Sequence, residues 1–287
     1  MKRITAATLA MCLWTAAVQA APPKDPPTGC APDAVLVGPA CVDKYEASVW
    51  LVPPTNAAGK SNKGLIKGIR KGQAKLADLT AGNATQLGCV DPPYSHTAYP
   101  AAFPANGNWV PDPAQPVPPS PGVYAVSIPG VLPSGCTTWF QAEQACALSG
   151  KRLLSNQEWQ RAAAGTPDIG GTDNETTDCA VWSGSPANTG ARTNCVSAWG
   201  ANDMVGNALE WVADWNDMAT ESCVYWTGGD ISCFGGDGDT GIYTANVPAA
   251  LMRGGFFQSY TDAGVFFVYS LYEPSFSYSY IGLRCGR

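Results

Sequence analysis

Ten cysteines lie beyond residue 20 of this 287-residue chain, and no other feature constrains its fold as strongly. They are Cys30, Cys41, Cys89, Cys136, Cys146, Cys179, Cys195, Cys223, Cys233 and Cys285. The residues ahead of them read as an export signal. Lys2 and Arg3 precede an uncharged stretch from Ile4 to Val18, and Val18-Gln19-Ala20 offers a small-residue cleavage site before Ala21-Pro22-Pro23. Cleavage after Ala20 removes Cys12 and leaves an even number of cysteines, which in a secreted, periplasmic or surface-held chain reads as a disulfide framework. A zinc site is excluded by spacing, since there is no Cys-x-x-Cys and His96 is the single histidine. Short loops favour Cys30–Cys41, Cys179–Cys195 and Cys223–Cys233. Cys89, Cys136, Cys146 and Cys285 then pair over longer distances in an order the sequence leaves open. Closing a loop of about fifteen residues contributes roughly 3 kcal/mol by restricting the unfolded chain.

Such staples matter here because regular structure is scarce. Gly 31 and Pro 24 exclude a coiled coil. No uncharged apolar run reaches the ~20 residues of a spanning helix, so no membrane span is expected. Lys+Arg 17 against Asp+Glu 23 gives a net charge of −6, about −8 once Lys2 and Arg3 leave with the signal. That balance argues against nucleic acid as a partner. With one histidine, most acid–base and metal-hydrolase schemes lack their groups.

Along the chain, residues 21–40 form a Pro-rich leader ending in a short strand, Ala34-Val35-Leu36-Val37, and strand character returns between Val42 and Leu51. Residues 52–135 read as a long irregular insertion. Its Lys60, Lys63, Lys67, Arg70, Lys71 and Lys75 fit a solvated face. A helix is expected over Thr137–Ser149, capped by Thr137 or Thr138 and ended by Gly150. A second starts at the capping box Ser155-Asn156-Gln157-Glu158 and stops at Gly165. Lys151 and Arg152 are expected to complement the first helix's C-terminal end. From Thr166 to Ala250 only short elements fit. With no internal repeat, residues 41–287 read as a single domain.

Four ordered motifs carry a family resemblance: Gly150-Lys151-Arg152-Leu153-Leu154-Ser155-Asn156-Gln157-Glu158-Trp159, Asp203-Met204-Val205-Gly206-Asn207-Ala208-Leu209-Glu210-Trp211, Arg253-Gly254-Gly255, and Ile281-Gly282-Leu283-Arg284-Cys285. Together they resemble the formylglycine-generating-enzyme (sulfatase-modifying factor) family over roughly residues 41–287. The resemblance implies an α+β, loop-rich variant of the C-type lectin fold, here disulfide-stabilised. That family acts through two copper-binding cysteines shortly after Arg-Gly-Gly. This chain has Phe256-Phe257-Gln258-Ser259-Tyr260-Thr261-Asp262-Ala263-Gly264 there, with no cysteine before Cys285. It therefore lacks the thiolate that would bind copper or act as nucleophile. Iron-dependent relatives on the same fold use a histidine cluster, which His96 alone does not provide. No catalytic residue and no required cofactor are expected.

Residues 256–280 are unusual in composition. Ten of these 25 residues are Phe or Tyr, five are Ser, and none is Lys, Arg or Trp. A strand with an aromatic core face is one reading, given the strict alternation Ser275-Phe276-Ser277-Tyr278-Ser279-Tyr280. A paratope-like surface is the other, since Tyr supplies stiff contact area and Ser adaptable hydrogen bonds. The frame Arg253-Gly254-Gly255, Ala263-Gly264-Val265-Phe266, Leu271, Pro274-Ser275, Ser277 and Ile281 to Cys285 resembles the variable proteins of diversity-generating retroelements. In those lectin-fold receptors adenine-directed copying randomises the C-terminus. The resemblance implies ligand contacts at Phe256, Phe257, Ser259, Tyr260, Thr261, Asp262, Phe267, Tyr269, Tyr272, Phe276, Tyr278, Ser279 and Tyr280. Arg253, Gly254, Gly255, Gly282 and Arg284 would hold the segment's ends, with a Cys285–Cys146 tie as one way to anchor it. The partner implied is a protein on a cell or phage surface.

Asp203, Gly206, Ala208 and Glu210 match the enzyme family's calcium positions, two by carboxylate and two by carbonyl, so a structural Ca²⁺ is the one metal expected. Buried turn hydrogen bonds are the competing reading of the same residues. Three functions therefore stand side by side: a non-enzymatic variable receptor, a formylglycine-generating-type oxidoreductase or its inactive relative, and a calcium-dependent saccharide-binding lectin.

Overall fold

The computed structural model describes residues 29–89, 94–106, 122–217 and 248–287. In chain order the elements are β1 (Ala34–Val37), β2 (Ala40–Asp43), β3 (Ala47–Leu51), α1 (Lys63–Arg70), α2 (Leu76–Ala81), β4 (Thr85–Leu87), β5 (Val123–Ser127), α3 (Trp139–Leu148), β6 (Arg152–Leu153), α4 (Asn156–Ala163), β7 (Leu209–Asp217), β8 (Pro248–Gly254), β9 (Gly264–Tyr269), β10 (Ile281–Leu283) and β11 (Cys285–Gly286). They form three small sheets, ordered β1-β2-β11-β6, β10-β7-β8-β9 and β4-β3-β5. This is the mixed, loop-rich α+β architecture the motifs imply.

Helix α3 sits at the centre. Thr138 Oγ1 accepts the Gln141 amide at 3.2 Å, and Gln141 Oε1 accepts the Thr138 amide at 3.3 Å, a reciprocal cap that satisfies two amides the helix itself cannot pair. Ala142, Ala145, Cys146 and Leu148 are buried, and the helix packs against β5, β6 and β7. α4 starts the same way, with Ser155 Oγ accepting the Glu158 amide at 3.2 Å. Its Trp159 is fully buried.

The C-terminal residues complete the first sheet. β11 pairs with β2 at Gly286 and Val42, and Cys41 and Arg287 exchange backbone hydrogen bonds at 3.0 and 2.7 Å. The disulfides are Cys30–Cys41, Cys89–Cys136, Cys146–Cys285 and Cys179–Cys195. Two are the expected short loops, and the other two fix the long-range order that the sequence left open. The expected Cys223–Cys233 pair lies outside the described residues, as do the export signal and the leader up to residue 28.

Several expectations give way. Residues 52–135 are not uniformly irregular: they supply α1, α2, β4 and β5, and β4 and β5 flank β3 in the third sheet. α1 escapes recognition because Gly64 and Gly68 interrupt it and it buries only Ile66 and Ile69. β5 is buried at all five positions, so it shows no alternation. The stretch after Thr166 contains a nine-residue strand, β7. Lys151 does not cap α3. Its ammonium is buried between Asp33, 2.6 Å away, and Asp43, 2.7 and 2.8 Å away, while Arg152 pairs with Glu158 at 2.6 Å. Two carboxylates share that ammonium. Burial, with Asp33 adding to it, pushes Asp43 up to about 6 against the pull of Lys151. Burial would raise Asp33 as well, but Lys151 and Arg287 outweigh it and hold this carboxyl below its usual range.

Candidate functional site

The segment between β8 and β10 is anchored at both ends. At its entry Arg253 lies over the Trp159 ring at 4.6 Å, with one Nη donating to Asn156 Oδ1 at 2.7 Å and the other to Gln160 Oε1 and the Val265 carbonyl. Gly255 has φ +82, and a Cβ there would stand 2.7 Å from Ala263, so the turn admits no side chain. At the exit Arg284 is fully buried. It donates to both Glu210 oxygens and to the carbonyls of Asp43 and Asn202. Cys285 is disulfide-bonded to Cys146 of α3.

Residues 271–280 form no strand, which excludes a regular core strand as the reading of the Ser/aromatic alternation. Their backbone is instead held by its neighbours. The Trp139 amide donates to the Pro274 carbonyl at 3.0 Å, the Cys136 amide to Tyr278 at 2.8 Å, and the Leu209 amide to Tyr280 at 2.9 Å. One donor is thus an amide of the first turn of α3, which has no partner within the helix. With the main chain fixed in this way, the side chains form a continuous series of ring contacts. It runs Phe267, Tyr269, Tyr272, Phe276, Tyr278, Tyr280, Phe256, Phe257, with centroids from 3.8 Å (Tyr272–Phe276) to 6.4 Å (Phe276–Tyr278).

The series grades from interior to exterior. Its two ends, Phe257 and Phe267, are 3% and 8% exposed and present almost no surface to a ligand. Phe256, Tyr269, Tyr272, Phe276 and Tyr280 are half-buried, packed on the central core while keeping an outer edge. Tyr278 is 51% exposed. Ser259 and Ser279 are half-buried, Thr261 and Asp262 exposed. Tyr260, 45% exposed, stands apart from the series and contacts Trp182 edge-on at 5.1 Å.

Trp182, itself 53% exposed, was not legible as a site residue. It is brought in by main-chain bonds, Ser183 N–H to the Phe257 carbonyl at 3.0 Å and Tyr260 N–H to the Val181 carbonyl at 2.9 Å. Its loop is held by Asp173, whose Oδ2 accepts the Val181 and Trp182 amides, and by the Cys179–Cys195 disulfide. Phe266, counted among the aromatics but not among the contacts, is exposed too.

The expected calcium positions follow the buried-turn reading more closely. Glu210 oxygens accept from Arg284 and from Trp159 Nε1 at 2.6 Å, so a cation would have to displace a guanidinium. Asp203 Oδ2 accepts the Gly190 amide at 2.7 Å. Gly206 donates to Gly254, and the Ala208 amide to Glu46 Oε1 at 2.9 Å. The set therefore has one of its two expected carboxylate ligands, Glu210, committed to Arg284 and Trp159. Burial pushes Asp203 up to about 6, and burial together with the nearby Asp203 and Glu210 carboxylates pushes Glu46 well above the usual range. Among the described residues no three His, Cys, Asp or Glu side chains are grouped to hold a metal, and all eight described cysteines are in disulfides.

Comparison with known proteins places this geometry in a family. The chain is similar in structure to the Major Tropism Determinant P3c variant, at 18% identity and TM-score 0.43 over 89% of this chain and 52% of that one. It is similar to the M1 variant at 25% identity and TM-score 0.35, over 52% of this chain and 37% of that one. It also resembles PvdO from Pseudomonas aeruginosa, at 16% identity and TM-score 0.36 over 86% and 80% of the two chains. The alignments thus span about a third to a half of the tropism-determinant chains. No curated protein matches the chain in sequence. The sulfatase-modifying factor enzyme 1-like domain matches residues 109–287, more than half of the chain and the part that carries all four motifs, and to that family this protein belongs.

Proposed function

We propose that this protein is an exported, non-enzymatic receptor, and that residues 256–280 are a variable surface that binds a protein displayed on a cell or phage. The observation that carries this reading is the unbroken run of rings, all but its two ends keeping an outer edge, most of them on an irregular backbone that the scaffold bonds at Pro274, Tyr278 and Tyr280. Tyr and Phe in such an array supply large contact area at low entropic cost, and single hot-spot rings contribute about 2 kcal/mol or more to binding. Four disulfides suit an oxidising compartment, in keeping with the export signal read in the sequence.

The test is in the flanking DNA. An imperfect copy of the codons for residues 256–280, mismatched at adenines and lying beside a reverse-transcriptase gene, is the expected finding. Its absence from the complete genome refutes the variable surface. Family membership keeps one rival in play, an oxidoreductase acting on an exported peptide. That rival requires stoichiometric copper or iron in the purified protein and turnover of a cysteinyl peptide. Metal-free protein without turnover is the outcome expected here.

A further inference from the structure

Arg192 is 5% exposed, and its side chain makes no hydrogen bond or ion pair with any described residue. Its Nη1 is shut off from solvent without an acceptor. A guanidinium has five donors and no acceptor; the buried Asp203 carboxyl lies within electrostatic reach of this one but accepts none of its hydrogen bonds, and donors left unpaired in the interior are costly. The same side chain walls a cleft of about 340 Å³, with Glu175, Thr176, Ser183, Ser185 and Pro186 among its neighbours. Glu175 and Ser183 also line an adjoining cleft of about 280 Å³ that reaches Trp182 and Gln258. The two clefts therefore run from Arg192 to the edge of the ring-bearing segment.

We infer that the Arg192 cleft is a carboxylate-binding site that seats an acidic group of the ligand held by residues 256–280, an inference that rests on the receptor reading. The edge formed by Nε and Nη2, the two nitrogens not shut off from solvent, matches a planar carboxylate, which accepts two parallel hydrogen bonds. Ser185 and Thr176 put hydroxyls in the same wall, and Pro186 gives an apolar face for the methylenes that carry an acidic group. Glu175 at the rim selects for charge. The rim carboxylate repels every anion, and a dianion such as phosphate more strongly than a singly charged carboxylate. Trp182 lies between this cleft and Tyr260, so one ligand reaches both the fixed cation and the ring surface. Arg192 and Trp182 lie outside the variable segment, so the anchor stays constant while the rings vary.

The experiment follows ¹H–¹⁵N shifts of the Arg192 side chain and the Ser183 and Ser185 amides while the full chain is titrated with N-acetylglutamate α-amide, glucuronate or inorganic phosphate. A saturable shift with a carboxylate is expected at millimolar affinity, with phosphate at least tenfold weaker. The glutamate derivative binding more tightly identifies a protein source, and glucuronate an acidic glycan; either response supports the site. Arg192→Gln should weaken the carboxylate at least tenfold, and Glu175→Gln should tighten it about threefold. Because Arg192→Gln alters a buried position, Ser185→Trp, which fills the cleft from an exposed residue, provides a second variant and should also abolish the shift. No saturable shift up to about 100 mM, equal binding of phosphate, or unchanged binding by Ser185→Trp overturns the inference. The probes do not need the rings. A Tyr272→Ser/Tyr278→Ser variant that keeps the probe shift but binds no macromolecule, or wild type that binds one without a probe shift, separates failure of this site from failure of the receptor reading.

Discussion

Glu210 joins three motifs through one carboxylate: it accepts from Trp159 of the capping-box helix and from Arg284 of the C-terminal motif, and it belongs itself to the Asp203–Trp211 segment. All three side chains are almost completely buried, so the pair is insulated from salt and water. Removing one charge of a buried pair leaves the other uncompensated, at a cost of about 3–5 kcal/mol. Glu210→Gln is therefore expected to lower the unfolding free energy from denaturant titration by that amount, with Arg284→Met at Glu210→Gln recovering part of it. The neighbouring carboxyls set an unusual pH response. Asp43 and Asp203 are each pushed up to about 6, and Glu46 is raised as well. Between pH 4 and 6 the folded state then binds more protons than the unfolded chain, so unfolding free energy rises as pH falls through this window. Opposing groups, Asp33 and Glu158, have lowered pKa values and withdraw their stabilisation only below their ordinary range. Thermal melts should show a higher Tm at pH 5 than at pH 7. Asp203→Asn, which keeps an oxygen for the Gly190 amide, should flatten that slope; an unchanged slope would locate the effect elsewhere.

At the scale of elements, what the sequence revealed depended on how local its causes were. α3 was legible from a capping threonine and α4 from a capping box whose partners lie three residues apart, and in both a glycine follows soon after the end. The Ser155 cap is testable directly: Ser155→Ala should cost about 1 kcal/mol in equilibrium unfolding, the usual value of an N-cap hydroxyl. β1 was legible as an apolar run before a Gly-Pro turn. α1, α2, β4 and β5 were not: each is short, β4 and β5 are held by pairing with β3, and α1 and α2 bury Ile66, Ile69 and Leu79 in the common core, tertiary causes with no periodic trace. The candidate site divides the same way. Its rings are contiguous in sequence and stood out by composition, yet the burial of Phe257 and Phe267 depends on which way irregular backbone turns. Trp182 joins the site through the Val181–Tyr260 and Ser183–Phe257 bonds, some 75 residues apart in the chain, and nothing local announced it.

Taken as a whole, the molecule separates what it holds from what it displays. Segment 256–280 enters at Arg253, leaves at Arg284, and its main chain is bonded to Cys136, Trp139 and Leu209, so its path does not depend on which ring stands at an outer position. Stability and surface chemistry should then respond to different substitutions. Tyr278→Ser removes an exposed ring and should change unfolding free energy by about 1 kcal/mol or less, while Tyr272→Ser, which loses a half-buried stacked ring, should cost about 1–2 kcal/mol. Phe257→Ser and Phe267→Ser empty buried positions and should cost about 3–5 kcal/mol. Opening the Cys146–Cys285 disulfide, which spans a sequence separation of 139, frees the end of the segment from α3 and should cost about 2–5 kcal/mol. Unfolding midpoints for these five variants decide the matter. Were Tyr272→Ser and Tyr278→Ser as damaging as Phe257→Ser, the outer rings would belong to the core, and no surface would be left free to vary.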